Sequence, residues 1–140
     1  MAETSKTEPD ASLSPGRSAL ALVAGFAVLW VLRVLFMLMA GTLFASLYPS
    51  GDGAIPTSNG LALSLVAEFV NGALAGLVTG RLAGRSPIAH AAILAGLFGF
   101  LGMTSMDQAT GMPAWFAIGF AVVAPIGTLV GGLVASRVRT

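Results

Sequence analysis

Long apolar runs separated by short polar stretches dominate the chain. The apolar runs span about residues 18–47, 61–83, 87–106 and 113–136. Each run is long enough to cross a ~30 Å hydrocarbon core as an α-helix, which takes roughly 20 residues. None alternates between apolar and polar positions, as the strands of a membrane β-barrel do. The pattern therefore predicts an all-α, up-down bundle of four transmembrane helices within residues 18–140.

Residues 1–17 differ from the rest of the chain. They hold five charged residues, and Leu13 is the only large aliphatic residue after Met1. Such a stretch buries too little apolar surface to offset the entropy lost on ordering, so we predict a disordered tail. A cleavable signal peptide is the alternative interpretation. The acidic residues of the tail and the length of the following apolar run argue against it, because a signal peptide's apolar region has roughly 7–15 residues.

The overall composition supports a membrane protein. Hydrophobic residues make up 56% of the chain and charged residues 9%, whereas soluble domains carry roughly 25% charged residues. So few charges cannot cover the surface of a water-soluble domain, and the lipid bilayer is the expected surrounding. The net charge of +1 argues against nucleic acid as a partner, because nucleic-acid binding needs clustered basic residues on one face.

The basic residues predict the orientation of the bundle. Six of the seven flank the apolar runs on one side: Lys6, Arg17, Arg81, Arg85, Arg137 and Arg139. The two connections on the other side, residues 48–60 and 107–112, hold Asp52 and Asp107 but no lysine or arginine. By the positive-inside rule, both termini are expected in the cytoplasm. Without a recognisable cleavable signal, the expected location of this multi-pass protein is the cell inner (plasma) membrane.

Two charged residues interrupt the apolar runs, Arg33 in the first and Glu68 in the second. A charge at mid-bilayer costs roughly 2.5–3.5 kcal/mol on insertion scales and therefore needs a partner or water. Counted from the arginines at the cytoplasmic boundary, the two lie at similar depths, roughly 24 and 20 Å at ~1.5 Å per helical residue. We predict that Arg33 and Glu68 form an ion pair, with Asn71 as a second hydrogen-bond partner one turn along the helix.

The role of this pair is open at the level of sequence. In one interpretation it is a buried structural link that fixes the register of the first helix on the second. In the other, Glu68 is a protonatable site on a proton or solute path. Phe26 and Trp30 lie within two turns of Arg33 and are close enough to stack on its guanidinium group.

Small residues recur at four-residue spacing in the last three helices. Such spacing lets helix backbones approach closely in lipid, and we predict packing roles for Gly72, Gly76, Gly80, Gly96, Gly99, Gly127 and Gly131. Packing within the chain is the favoured interpretation, and a homo-oligomer or partner interface is the alternative. On the third helix, the large residues opposite the glycines are expected to face lipid or another subunit: Leu94, Leu97, Phe98 and Leu101.

The second and fourth helices carry similar stretches. Residues 72–80 and 127–135 both repeat small residues at four-residue spacing, and each is followed by arginine. Helices 1–2 and 3–4 are therefore candidates for two hairpin repeats of like orientation. A chance likeness between two glycine-rich membrane helices is the alternative.

The sequence offers no recognisable catalytic or metal-binding set. The chain has no cysteine and a single histidine, His90, which a helical wheel places on the lipid-facing side of the third helix. No carboxylates or other ligands lie near it in sequence, and no triad or phosphate-binding loop can be identified. We therefore expect no enzyme activity, no metal and no cofactor.

One stretch carries a resemblance to known proteins. Residues 71–91 read NGALAGLVTGRLAGRSPIAHA, and resemble the middle of uncharacterised small bacterial four-helix membrane proteins. Those proteins share a Gly/Ala-rich helix, an arginine-containing inner turn and a His-Ala pair that opens the next helix. The resemblance implies a four-helix membrane fold and brings no activity with it. Four helices with one membrane glutamate are also similar to small multidrug-resistance transporters, although their key carboxylate lies on the first helix.

Taken together, these features predict a non-enzymatic integral membrane protein that acts through helix packing. It would be an accessory or assembly component that binds other membrane subunits, or a homo-oligomer. The alternative is a small-solute or proton-coupled transporter or channel that uses Glu68.

Overall fold

The computed structural model describes residues 15–51, 54–106 and 111–138, and its regular secondary structure over these ranges is helical, without strands. Its four helices are α1 (Pro15–Leu43), α2 (Ser58–Leu82), α3 (Pro87–Thr104) and α4 (Ala114–Arg137). Each is long and apolar enough to cross a membrane, which is the pattern of a multi-pass membrane protein. The predicted four-helix, all-α architecture is thus confirmed at this level.

The first helix begins earlier and ends earlier than predicted. Pro15 opens α1 at the first helical turn, where its missing N–H is not needed, so Pro15–Arg17 of the predicted tail are helical. After Leu43 the chain leaves the helix in a turn in which the Leu47 amide donates to the Phe44 carbonyl. The rest of the predicted tail, residues 1–14, lies outside the described residues, as do Asp52, Asp107 and Arg139.

Local capping explains where α2 begins and ends. Thr57 is the N-cap residue, and its side chain accepts a hydrogen bond from the Gly60 amide, so α2 begins at Ser58 rather than near residue 61. At the other end, Gly84 adopts φ +71°, a conformation that glycine supplies without strain. Arg17 Nε donates to the Leu82 carbonyl at 3.0 Å and thereby satisfies one of the unpaired carbonyls of the last turn.

Helix α2 lies at the centre of the bundle. It packs against α1, α3 and most closely against α4, while α3 packs mainly on α4. The backbones of α1 and α4 do not come into contact anywhere in the described residues. We call the end of the bundle with the α1–α2 and α3–α4 connections the loop end, and the opposite end, with Pro15 and Arg137, the terminal end.

Helix α1 approaches α2 closely at Gly25. A Cβ atom at Gly25 would collide with the Thr79 hydroxyl and lie 3.0 Å from the Ala75 carbonyl oxygen. Ala21, Gly25, Leu29 and Ala40 are the buried residues of α1. Much of the rest of this helix is exposed and apolar, including Val23, Met37 and Leu38.

Candidate functional site

Arg33 and Glu68 meet between α1 and α2 in a side-on ion pair. Arg33 Nε donates to Glu68 Oε1 at 2.8 Å, and Nη2 donates to Oε2 at 2.6 Å. The Glu68 side chain is 5% exposed and that of Arg33 21% exposed. Because the two helices are antiparallel neighbours, residues at equal depth face each other. Two parallel charge-assisted hydrogen bonds fix the guanidinium plane relative to the carboxylate.

Aromatic rings surround the guanidinium group. The Arg33 Cζ atom lies 5.2 Å from the ring centre of Trp30 and 4.7 Å from that of Phe120. Both distances fall within the roughly 6 Å limit of a cation–π contact. Phe120 comes from α4, and nothing in the sequence pattern points to it. Phe26 stacks instead on Phe98 of α3, with ring centres 5.9 Å apart.

Asn71 does not take the predicted role of second partner to Arg33. Within the described part of the chain, the Arg33 hydrogen bonds go to Glu68 alone. Asn71 is buried, and its Nδ2 atom has no hydrogen-bond partner among the described residues. Nδ2 is a donor, so within this pair only the Glu68 carboxylate could accept from it, and both carboxylate oxygens already accept from Arg33.

Three cavities reach Arg33 from the loop-end half of the bundle. Their volumes are about 350, 420 and 210 Å³, and Arg33 and Phe120 line all three. The first extends towards the loop end along Glu68, Ser64 and Tyr48. They occupy the space where α1 stands away from α3 and α4. Together we call them the Arg33 cleft.

The predicted packing glycines of α2 and α4 face each other. A Cβ atom at Gly72 would collide with the Ala124 carbonyl oxygen, and one at Gly127 would collide with the Phe69 carbonyl oxygen. Each glycine thus contacts the carbonyl group of the residue three positions before the other glycine. This reciprocity relates the two parallel helices by a local two-fold axis along the bundle.

The same exchange recurs one turn further on. A Cβ atom at Gly76 would overlap the Thr128 carbonyl oxygen, and one at Gly131 would overlap the Ala73 carbonyl oxygen. At these positions any side chain would meet backbone, which cannot move aside independently. The two similar stretches, 72–80 and 127–135, therefore pack against each other in one continuous contact.

The remaining predicted glycines differ from one another. A Cβ atom at Gly80 would lie 2.7 Å from that of Ala135, so Gly80 also packs closely. At Gly99 it would meet only Pro125 Cγ, at 3.5 Å, and at Gly96 it would meet nothing within 4 Å. Gly96 therefore has no packing role within the chain, whereas a Cβ atom at Gly102 would lie 2.7 Å from Ala121 Cα.

The predicted orientation of α3 is wrong for Leu94 and Phe98. Both are buried, while Leu97 and Gly96 are exposed. Leu94 and Phe98 join a core cluster with Leu29 of α1. Because α1 stands apart from α4, these large side chains fill the space between them, a space that the sequence pattern does not reveal.

His90 is buried as well, contrary to the expectation that it faces lipid. It is 7% exposed, and its Nδ1 atom lies 3.0 Å from the Ser86 carbonyl oxygen. His90 precedes Leu94 by one helical turn and shares its packed side. In the described ranges no three His, Asp or Glu residues come together as a metal site would require.

Comparison with protein-family models, with curated proteins and with solved structures finds no match to this chain. Its function is therefore proposed from its own residues.

Proposed function

We propose that this chain is a non-enzymatic membrane protein that acts by packing against a second copy or another membrane subunit. The observation that supports this is the outward side of α3, where Ala89, Ala92 and Gly96 lie exposed along one stripe. A lipid-facing side is usually covered by large side chains, whereas small residues at this spacing let a further helix approach. Gly72, Gly76 and Gly131 already contact a neighbouring helix of the same chain. Gly96 contacts none and is therefore open to a partner helix.

Replacing Gly96 by leucine is expected to abolish association while the fold is retained. The new side chain projects into open space within the chain but obstructs a partner helix. Gly41→Leu is the matched control, because Gly41 is also a helical glycine with nothing within 4 Å of an added Cβ atom. The measurement is copurification of other subunits, either a second copy with a different tag or another membrane protein. Equal copurification with both variants would contradict the proposal.

The proposed location is the bacterial inner membrane, with the terminal end in the cytoplasm. The arginines at that end, Arg81, Arg85 and Arg137, are exposed, as the positive-inside rule requires of the cytoplasmic side. In this orientation the start of α1 and the end of α4 would both lie on the cytoplasmic side.

Single cysteines test this orientation directly, because the natural chain has none. With a membrane-impermeant maleimide, Ser50→Cys at the loop end is expected to react in intact cells. Val138→Cys at the terminal end is expected to react only after the membrane is permeabilised. The opposite pattern would invert the proposed topology, and labelling of both in intact cells would exclude it.

A second candidate function is proton-coupled or small-solute transport through Glu68. It is favoured by the first cavity, which Arg33 and Glu68 both line. This candidate expects Glu68→Gln to keep the fold and lose flux in proteoliposomes. Under the packing proposal, Glu68→Gln lowers the stability of the fold. Neither the natural protein nor the variant then gives flux in proteoliposomes.

A further inference from the structure

The Arg33 cleft has the size of a small-molecule site, which helix packing alone does not require. The two larger cavities, about 350 and 420 Å³, fall within the range of roughly 300–1,000 Å³ typical of small-molecule sites. Arg33 lies ten residues before the end of α1 at Leu43, or roughly 15 Å below it at ~1.5 Å per residue.

Arg33 retains hydrogen-bonding capacity towards the cleft. A guanidinium group has five N–H donors, and the ion pair with Glu68 uses one on Nε and one on Nη2. The Nη1 group and the second Nη2 hydrogen are outside that pair, and the Arg33 side chain is 21% exposed. Donors in an apolar cavity favour a ligand that brings an oxygen acceptor.

The charge of the site favours a neutral ligand. Arg33 and Glu68 cancel each other, so an anion next to Arg33 would meet the Glu68 carboxylate, and a cation would meet the guanidinium. Besides Ser64 and the Tyr48 ring with its hydroxyl, the other walls are mostly aromatic and aliphatic, among them Phe36, Met37, Phe116, Phe120 and Leu61. Aromatic rings and flexible methionines adapt to a flat or irregular apolar body.

We propose that the Arg33 cleft binds a neutral lipophilic molecule with a carbonyl group, the carbonyl oxygen accepting a hydrogen bond from Arg33. Its apolar body lies against Phe116, Phe120 and Met37. The site is independent of the proposed packing function, because it lies between α1 and α4 rather than on the outer side of α3.

Trp30 provides a reporter, because its ring lies 5.2 Å from the Arg33 Cζ atom. Trp115→Phe leaves Trp30 as the single tryptophan, since the chain has two. The probe is a decyl-substituted benzoquinone, which quenches tryptophan fluorescence, added to the protein in lipid nanodiscs. Saturable quenching is expected, with competition by 2-undecanone, which carries a carbonyl, and not by undecane, which does not.

A cavity-filling variant separates binding from partition into lipid. In the Trp115→Phe background, Ala117→Phe places a ring into the second cavity and is expected to weaken saturable quenching by about tenfold, or 1.4 kcal/mol. Ala114→Phe is the control, because Ala114 is exposed on the same helix and does not line the cleft. Gly41→Phe, which narrows the first cavity, replaces Ala117→Phe if thermal melting shows that the latter is unfolded.

Three results would overturn this inference. The first is quenching that rises linearly with probe and does not differ between the filled and control variants, as simple partition predicts. The second is equal competition by undecane, which would reduce the cleft to a space for acyl chains. The third is retained saturable quenching when the cleft is filled. None of these depends on whether the chain associates through Gly96, so the two proposals fail separately.

Discussion

Glu68→Leu is expected to lower the free energy of unfolding by about 3 kcal/mol. The substitution leaves Arg33 without its carboxylate in a partly buried position, and arginine cannot lose its proton. Insertion scales place an unpaired arginine at mid-bilayer at roughly 2.5–3.5 kcal/mol. Unfolding by SDS titration in mixed micelles, followed by circular dichroism, measures the loss.

The partner substitution is expected to have a smaller effect. Arg33→Leu leaves Glu68 buried without its partner, but a carboxyl group, unlike a guanidinium group, has a neutral form that is less costly to bury, so the expected loss is about 1–2 kcal/mol. The double variant Arg33→Leu/Glu68→Leu is expected within about 1 kcal/mol of the natural protein, because two apolar side chains replace a buried pair without leaving a charge. Additive losses in the double variant, or no loss in either single variant, would show that the pair does not hold α1 on α2.

Gly76→Ala is the second change with a large expected effect. The added methyl group would overlap the Thr128 carbonyl oxygen and lie 2.9 Å from the Thr128 Cα atom. Backbone atoms cannot rotate aside, so α2 and α4 must move apart along their whole contact. Overpacking typically costs 1–3 kcal/mol, and we expect about 3 kcal/mol here in the same SDS titration, since the obstruction is backbone.

Gly41→Ala is the matched control for this prediction, because Gly96 is the residue proposed to contact a partner. It makes the same chemical change in another helix, where the added methyl group meets nothing within 4 Å. Alanine is favoured over glycine in helices by about 0.5–1 kcal/mol, so stability should stay the same or rise slightly. Equal losses at both positions would mean that glycine flexibility, rather than close contact with Thr128, matters at Gly76.

The sequence predicted the helices well because each signal was local. Apolar length identifies a membrane-spanning helix, and the charge pair follows from the cost of isolated charges at similar depth. The N-cap at Thr57 and the proline that opens α1 at Pro15 are also local signals, and reading them would have corrected the predicted ends of α1 and α2.

The residues whose burial the sequence did not predict lie where the spacing between helices decides whether a side chain is buried. Leu94 and Phe98 are buried because α1 stands away from α4 and leaves space that α3 fills. Phe120 reaches Arg33 across the same gap. In lipid, an apolar side chain on a helix surface is compatible with either packing or lipid contact, so hydropathy cannot separate the two.

The glycine pattern gave partial information. The likeness of residues 72–80 and 127–135 was visible, but the sequence did not indicate that these stretches pack against each other. Reciprocal contacts such as those of Gly72 and Gly127 explain the shared spacing, because both helices present the same surface across a local two-fold axis.

The mass of the intact assembly tests the central claim of association through helix packing most directly. The tagged protein is extracted from its native membrane in mild detergent and weighed by native mass spectrometry beside Gly96→Leu and Gly41→Leu. We expect an assembly larger than one chain for the natural protein and Gly41→Leu, and a single chain for Gly96→Leu. A single chain for the natural protein, under conditions in which it stays folded, would contradict it.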